Sequence, residues 1–585
     1  MQHAPVQQVP TSQFDLSNFH KTSFKMGMLV PHFDLEVLPG DRLSLSVDAL
    51  YRMPNLYAPI METLEVHNAF FYVRYSTLYD RWKSVIKPNW STLEDETVPY
   101  IDVNFTNMLT NEDVWMNSII SYMGFPVPTI TGELTTDPYI TRINALPIAA
   151  YWKIWNDYYR DAIMQPEWGY ADPFDVQDEQ PLIRDLGTTS DWSSNFREYQ
   201  SIFLADFDIT TVNNPVNDWV YLQPMYRNWN YDYFTAAKYE PQYSEAILLP
   251  TFDLTRDHTG ESQWIRDADN EIVQGGRQGL QKGLSPDSYL ERDAAGTPIK
   301  TWLDTSETAG TIAQLRFAEQ MQTFLEKINR IGDRYRSHVR TFYGVDPGGE
   351  GYSTYIGSHT SIMAISDVWQ QDSQRGGDQS QQIGEGLGAY AGKGIGNSTT
   401  QSFQFQAPDF GHIIGIVNIQ PQSSYHQGVH KKWTRETWED YAMAQFANIG
   451  DQEIIEKELV LRYDLGWNHP NQLDTWGYVP RFSEWKYNFN RTSGELRKYY
   501  TQFHLTRSFQ RISTTPALSP QFLVAWNQNM STDGTDILPT NVGAIDAKRI
   551  MEVASGYDDV YAWIWTQCLV IRALPKYGIP GHHMA

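Results

Sequence analysis

A chain of 585 residues with 70 acidic against 45 basic side chains carries a formal charge of −25, which opposes a freestanding role on polyanions or anionic membranes, although local basic patches survive such an average. Its single cysteine, Cys568, rules out an intrachain disulfide, and the sequence reads as neither exported by a signal peptide nor membrane-spanning, having no basic-then-apolar leader and no apolar run of about 18 residues. Aromatic residues at 14%, including 20 Trp and 35 Tyr, favour strands and large contact surfaces over long helices.

Residues 1–22 are polar and contain Pro5 and Pro10, which predicts an arm without its own core. Pro39 and Gly40 supply a turn into a half-buried strand, with Leu43, Leu45, Val47 and Ala49 facing one way and Arg42, Ser44, Ser46 and Asp48 the other. A second strand is expected over residues 64–75, through Phe70, Phe71 and Tyr72. The next element is a helix with Leu146, Ala150, Ile154 and Tyr158 on one side. It carries a polar stripe of Lys153, Asn156, Asp157, Arg160 and Asp161, Asn144 as its cap, and Lys153 with Asp157 as an i,i+4 pair.

Residues 165–220 and 239–307 have weak periodicity and loop-forming composition. Between residues 311 and 340 a long helix places Ile312, Leu315, Ala318, Met321, Leu325 and Ile328 at helical spacing, with Gly332 as a break. Residues 370–400, rich in Gln, Gly and Ser, predict a flexible loop. Residues 412–419 are a short buried strand, and a third helix is expected after Thr434, through Trp438, Tyr441 and Phe446, ending at Gly450. Residues 560–571 are apolar on both faces, so this strand needs cover from both sides, either in a packed sheet or from a neighbouring subunit. No repeat with a period of 20 to 50 residues points to a solenoid or propeller.

The motifs that could carry chemistry fail on detail. In the glycine-rich run at 384–396, the Gly392–Lys393 pair lacks a glycine at the required spacing, where Leu387 stands, and Gly394 replaces the magnesium-holding hydroxyl. Gly386, Gly388 and Ala391 fit a loose dinucleotide fingerprint but follow no strand. His426 and His430 are separated by Gly428 and have no third ligand at recognisable spacing, and His582 and His583 sit at the chain end. Carboxylate pairs among 70 acids, together with many Trp, admit a β-rich carbohydrate-active enzyme, and a lectin-like receptor-binding module is a further alternative, yet no pair is marked by spacing. Two basic groups, Lys431, Lys432 and Arg435, and Arg330, Arg334, Arg336 and Arg340, suit phosphates or a solvated, subunit-facing surface. Cys568, inside an apolar strand, reads as packing, and no nucleophile elbow occurs. No catalytic or cofactor-binding residue is assigned, and no metal or DNA ligand is singled out.

Several segments, in one order along most of the chain, resemble the major capsid protein of the microviruses, small icosahedral single-stranded DNA phages, and its gokushovirus branch in particular. They begin with Leu29–Val30–Pro31, Phe33, the run from Glu36 to Asp41, Pro59–Ile60–Met61, Phe70–Phe71 and Trp82. They continue with Ile143 to Pro147 leading to Arg160–Asp161, then Asp232–Tyr233–Phe234–Thr235, and Thr311 to Gln320 with Arg334–Tyr335 and Phe342 to Val345. The most specific block comprises Ile413–Ile414–Gly415, Pro421, Ser424–Tyr425, Gln427–Gly428, Trp433, Gly450 and Gln452–Glu453. It is followed by Trp476–Gly477–Tyr478, Arg481–Phe482, the run Glu484 to Tyr487, and Arg491; Arg572 to Pro575, Tyr577–Gly578 and Pro580–Gly581 close the series. Arg74 departs from the proline usual in the family, and residues 165–220 and 239–307 match nothing that can be anchored.

The resemblance implies a mainly β fold, an eight-stranded antiparallel viral jelly roll with long inter-strand insertions containing several helices. The arm of residues 1–22 would precede a single domain, 23–585. The non-enzymatic chain would form a T=1 icosahedral shell around circular single-stranded DNA in the host bacterial cytoplasm, aided by a scaffolding protein and a small basic DNA-packaging protein. Residues 239–307 are favoured over 165–220 as a threefold surface spike, with host attachment through a surface receptor as its expected task.

Overall fold

The computed structural model describes residues 11–54, 56, 60–79, 82–86, 98, 100–104, 115–126, 140–160, 224–238, 241, 312–331, 335–343, 351–369, 390–398, 402–461, 475–507, 550–551 and 558–576. The expected insertions at 165–220 and 239–307, and His582 and His583, lie outside them. By Cα packing the chain divides into two units, residues 1–241 with 332–585, and residues 242–331. Among the described residues, the second unit contributes the helix Ile312–Ile331, which stops immediately before Gly332.

In the first unit, ten antiparallel strands are joined by hydrogen bonds: β1 (Ser12–Asp15), β2 (Asn18–Phe24), β3 (Val30–Val37), β4 (Arg42–Arg52) and β5 (Leu64–Arg74), then β8 (Thr354–Trp369), β9 (Tyr390–Ser398), β10 (Phe403–Gln406), β11 (Gly411–Pro421) and β16 (Val560–Arg572). β6 (Tyr100–Asn104) and β7 (Ile140–Asn144) form a separate antiparallel pair, and β12 (Ser424–Tyr425) and β15 (Asn490–Arg491) a short parallel one. β16 lies between β4 on one side and β1 and β2 on the other. β4 continues to β10 and β9, while β5, β11 and β3 run side by side. The 16-residue β8 links the two halves, its first part pairing with β5 and its second with β9. The main core lies between these halves, where Leu43, Leu45 and Val47 of β4 and Ile564, Cys568 and Val570 of β16 meet Leu64, Val66, Phe70 and Tyr72 of β5 and Ile413, Val417 and Ile419 of β11. The alternation of Leu43, Leu45, Val47 and Ala49 therefore marks the face it was expected to mark, and the turn before it is made at Gly40, whose φ of +89° favours glycine.

A second core covers the opposite face of β5 and β11. Ala69, Phe71, Val73, Ile414 and Ile416 pack against Leu146, Ala150, Tyr151, Ile154 and Trp155 of a helical layer. Asn144 Oδ1 accepts the N–H of Leu146 at 3.0 Å, and the helix Leu146–Ile154 passes into a π-turn, Trp155–Tyr159, that sets Tyr158 4.9 Å from Phe71. The polar side of this helix is not a solvent stripe, because Lys153, Asn156 and Arg160 are buried. Lys153 Nζ reaches Asp157 at 3.0 Å, and the other Asp157 oxygen accepts the Ser353 N–H and hydroxyl at 2.8 and 2.6 Å. These bonds satisfy the buried Lys153 ammonium and Asp157 carboxylate.

Three further expectations are corrected. Of the expected arm at 1–22, the described part is tied down in strands: β1 and the first residues of β2 pair with β16. An edge of β16 offers unpaired backbone groups, and the arm satisfies them. Within the expected loop 370–400, residues 390–398 form β9, since β4 and β8 present edges to it. The third helix is replaced by short 3-10 turns at Lys431–Trp433, Trp438–Asp440 and Ala444–Phe446. There the Thr434 hydroxyl donates to the Lys431 carbonyl at 2.9 Å, and Asp440 Oδ2 accepts the N–H groups of Glu436 and Thr437, both at 2.8 Å. Such local bonds compete with the helical ladder, and Trp438 and Tyr441 stay exposed instead of burying one face.

Candidate interaction surfaces

The segments at 232–235, 424–459 and 475–491, far apart in sequence, converge on a third core. Antiparallel β13 (Asp451–Ile455) and β14 (Thr475–Pro480) hold Ile454, Trp476 and Val479 against Tyr233, Phe234, Tyr425 and Leu459. Asp232 organises the junction: its Oδ1 accepts the N–H groups of Phe234 and Thr235, each at 2.9 Å, and its Oδ2 accepts the Tyr425 hydroxyl at 2.7 Å. Lys238 exchanges two backbone bonds of 2.8 Å with Tyr478 and closes a buried ion pair with Asp451 at 2.7 Å.

Next to this core the Tyr233 hydroxyl donates to Glu458 at 3.0 Å. Burial raises the Glu458 carboxyl above its ordinary range, partly opposed by Lys431, and burial followed by the Glu458 charge raises the Tyr233 phenol. The crevice between Tyr233, Phe234, His430, Glu458, Glu484 and Phe489 is filled by its own side chains and leaves no room for a water molecule. A buried acid beside a phenol in a packed crevice positions a loop and offers nothing to a substrate.

Outside the core lies an exposed rim. Trp433, Trp438, Tyr441, Trp485, Tyr487 and Tyr499 all face solvent, Trp433 at 73% exposure. Arg435 lies 4.1 Å from the Trp485 ring centroid, 5.7 Å from that of Tyr441 and 3.8 Å from a Glu484 oxygen. Lys432 and Lys498 sit over Trp433 and Tyr499. The basic group at 431–435 is thus held among aromatic rings on a 3-10 turn and does not open an α-helix. Phe482, with φ at +62°, is the one non-glycine residue with positive φ among the described residues, held where the Gln452 side chain accepts its N–H at 2.9 Å. The sequence marked most of these residues individually, but only the fold shows Arg435 joining Tyr441 to Trp485.

Of the second basic group, Arg330 ends the helix Ile312–Ile331, Arg336 and Arg340 lie on the helix Tyr335–Tyr343, and Arg334 is outside the described residues. The structure does not bring His426 and His430 onto one helix, and the His430 ring accepts the Lys432 N–H at 3.0 Å. Among the described residues no three His, Cys, Asp or Glu side chains group closely enough to hold a metal ion. Cys568 is fully buried, and burial pushes its thiol up to about 12, the opposite of activation. No described helix is long and apolar enough to cross a membrane.

The second surface is the outer side of β16. Its inner residues Val560, Ala562, Ile564, Thr566, Cys568 and Val570 are buried, while Tyr561, Trp563, Leu569 and Ile571 stand 39–46% exposed. β16 lies inside a sheet, yet among the described residues its apolar outer face stays partly open to solvent.

The chain matches the family described as Capsid protein (F protein) over residues 3–534. It is similar to the capsid protein VP1 of Chlamydia phage 1, with 27% identity across 99% of this chain and 96% of that relative. It is also similar to the VP1 proteins of Bdellovibrio phage phiMH2K, at 24% across 97% and 95%, and of Spiroplasma virus 4, at 22% across 88% and 88%. Antiparallel strands around a shared core and this match over most of the length have one reading: the chain belongs to the microviral capsid protein (F protein) family and, as a capsid protein, is a structural component of the virion rather than an enzyme.

Proposed function

We propose that this chain self-assembles into a T=1 icosahedral shell enclosing a circular single-stranded DNA genome, with the β framework as a jelly roll and the aromatic rim as a major contact between copies. The observation that carries the reading is the rim itself, large rings held in solvent beside a separately packed core. A Trp or Tyr buries about 150–250 Å² when fully covered. At about 25 cal/mol per Å², covering a half-exposed ring stabilises a contact by roughly 2–3 kcal/mol. Symmetry repeats each such contact, so modest individual interfaces close a stable shell.

The partners that complete this reading are a scaffolding protein during assembly in the host bacterial cytoplasm and a small basic protein that offsets the genome's charge, which a coat of net charge −25 does not offset by itself. Residues 239–307, with 165–220 as second choice, form the surface insertion that rises as a threefold spike and contacts a host receptor. The test is expression of the full chain with a candidate scaffolding partner, followed by sedimentation and negative-stain microscopy. Closed shells are the expected result. Persistent monomers that bind or cleave glycans under every assembly condition would contradict the reading and favour a lectin-like or carbohydrate-active role.

A further inference from the structure

The two halves of the sandwich are covered unequally. The outer face of β5 and β11 lies under the helical layer, whereas among the described residues the outer face of β16 is left partly exposed. Strand register shows what that face displays. Tyr561 stands between Arg52 of β4 and Ser23 of β2, Trp563 between Leu50 and Lys21, and Trp565 between Asp48 and Phe19. Phe19, 55% exposed, lies 6.5 Å from Trp563 and 6.3 Å from Trp565, with ring planes only 28° and 15° apart. Lys21 Nζ lies 5.5 Å from the Phe19 centroid, and Lys21 and Arg52 are both exposed. Further along, Gln567, Leu569 and Ile571 pair with Ser46, Ser44 and the exposed Arg42.

We propose that this open face, centred on Phe19, Tyr561, Trp563 and Trp565 with Lys21 and Arg52 at its margin, is a platform for single-stranded nucleic acid, its rings stacking on bases and its cations pairing with phosphates. This rests on the reading of the chain as the coat of a single-stranded DNA genome, and it names the surface that meets that genome. Three observations favour this occupant over a second copy of the chain. Phe19 lies nearly parallel to both Trp563 and Trp565, and the β16 rings repeat every second residue, about 6.8 Å along the strand, so successive rings can each take a base. Lys21 and Arg52 border the aromatic end in a chain whose acids outnumber its bases by 70 to 45, and they are placed to pair with phosphates beside the rings. Polar Ser44 and Gln567 interrupt the apolar strip, which suits a wet, sequence-tolerant contact better than a dry subunit interface. The carboxylates nearby are few: Asp48 beside Trp565, Asp15 beside Leu569, where it accepts from Ser17, and Asp558, which accepts the Ser23 hydroxyl.

The test is fluorescence anisotropy of a labelled oligothymidylate of about 12 nucleotides with the full unassembled chain, over a salt series, alongside shell formation by sedimentation. The wild-type chain should bind, and Trp563→Ser and Phe19→Ser should each weaken binding by about tenfold or more. Trp563→Phe should restore most of that loss. Lys21→Ala should lower the slope of log affinity against log salt by about 0.7. Trp563→Phe and Lys21→Ala keep the exposed surface and the fold, so they remain informative if a serine variant misfolds. Unchanged affinity in Phe19→Ser and Trp563→Ser, or a chain that forms shells yet ignores the oligonucleotide, would overturn the inference and leave the coat assignment intact. Variants that bind as wild type but no longer form shells would assign the face to a second copy instead. Binding through these rings by a chain that never assembles would support the platform and count against the shell.

Discussion

Replacing His32 with leucine should stabilise the chain, and should do so more strongly as the pH falls. His32 lies on β3, 3% exposed, its ring edge-on to Phe70 at 5.7 Å, and neither ring nitrogen has a hydrogen-bond partner among the described residues. Burial, reinforced by the neighbouring His20, lowers its pKa from 6.5 to about 3. The ring is therefore neutral in the folded chain below the pH at which the unfolded chain takes up a proton, so stability falls as the pH drops from 6.5 toward 3. At pH 5 the unfolded state is favoured by about 2 kcal/mol from this group alone. Leucine removes that term and also an unsatisfied buried N–H worth about 1 kcal/mol or more. Chemical denaturation of the unassembled chain should therefore show a gain of about 1 kcal/mol at pH 7.5 and about 3 kcal/mol at pH 5. His67, lowered to about 4 by burial, adds acid sensitivity to both proteins and cancels in the difference. A gain that is the same at both pH values, or a loss at pH 7.5, would refute the reasoning.

Tyr151→Phe should cost about 2–4 kcal/mol, because the Tyr151 hydroxyl donates to the Leu29 carbonyl and accepts the Met225 N–H, both at 2.9 Å. Faster amide exchange at Met225 would report the loss directly. Gly415→Ala should destabilise by about 1–3 kcal/mol, since a Cβ there meets Phe70 at 2.8 Å and His32 at 2.9 Å, and thermal unfolding should show a coupling between it and His32→Leu. Asp41→Ala should cost about 3–5 kcal/mol by stranding Arg572, whose guanidinium lies 2.8 Å from the buried Asp41 carboxylate, and urea unfolding measures it.

Strands with strict alternation were legible in the sequence because one buried face leaves a period of two, as Leu43, Leu45, Val47 and Ala49 show. The helix at Leu146 was legible for its periodicity, but the fate of Lys153, Asn156 and Arg160 was not, since a polar side chain buried by a partner as distant as Ser353 looks in sequence like one facing water. The turns after Thr434 misled because Trp438, Tyr441 and Phe446 fall near helical spacing, while the bonds of Thr434 and Asp440 that replace the helical ladder leave no period. The glycine-rich β9 carries no alternation, and its strand state is set by the edges of β4 and β8. Of the two surfaces, β16 announced itself through apolar residues on both faces, whereas the rim required the convergence of segments around residues 233, 425 and 476.

The most direct test of the coat assignment is an electron-microscopic reconstruction of particles recovered from cells expressing the full chain with its candidate scaffolding partner. The account predicts a closed T=1 shell in which Trp433, Trp438 and Trp485 lie between neighbouring copies. Recovery of the chain only as monomers, or shells in which these three rings all face open solvent, would contradict it.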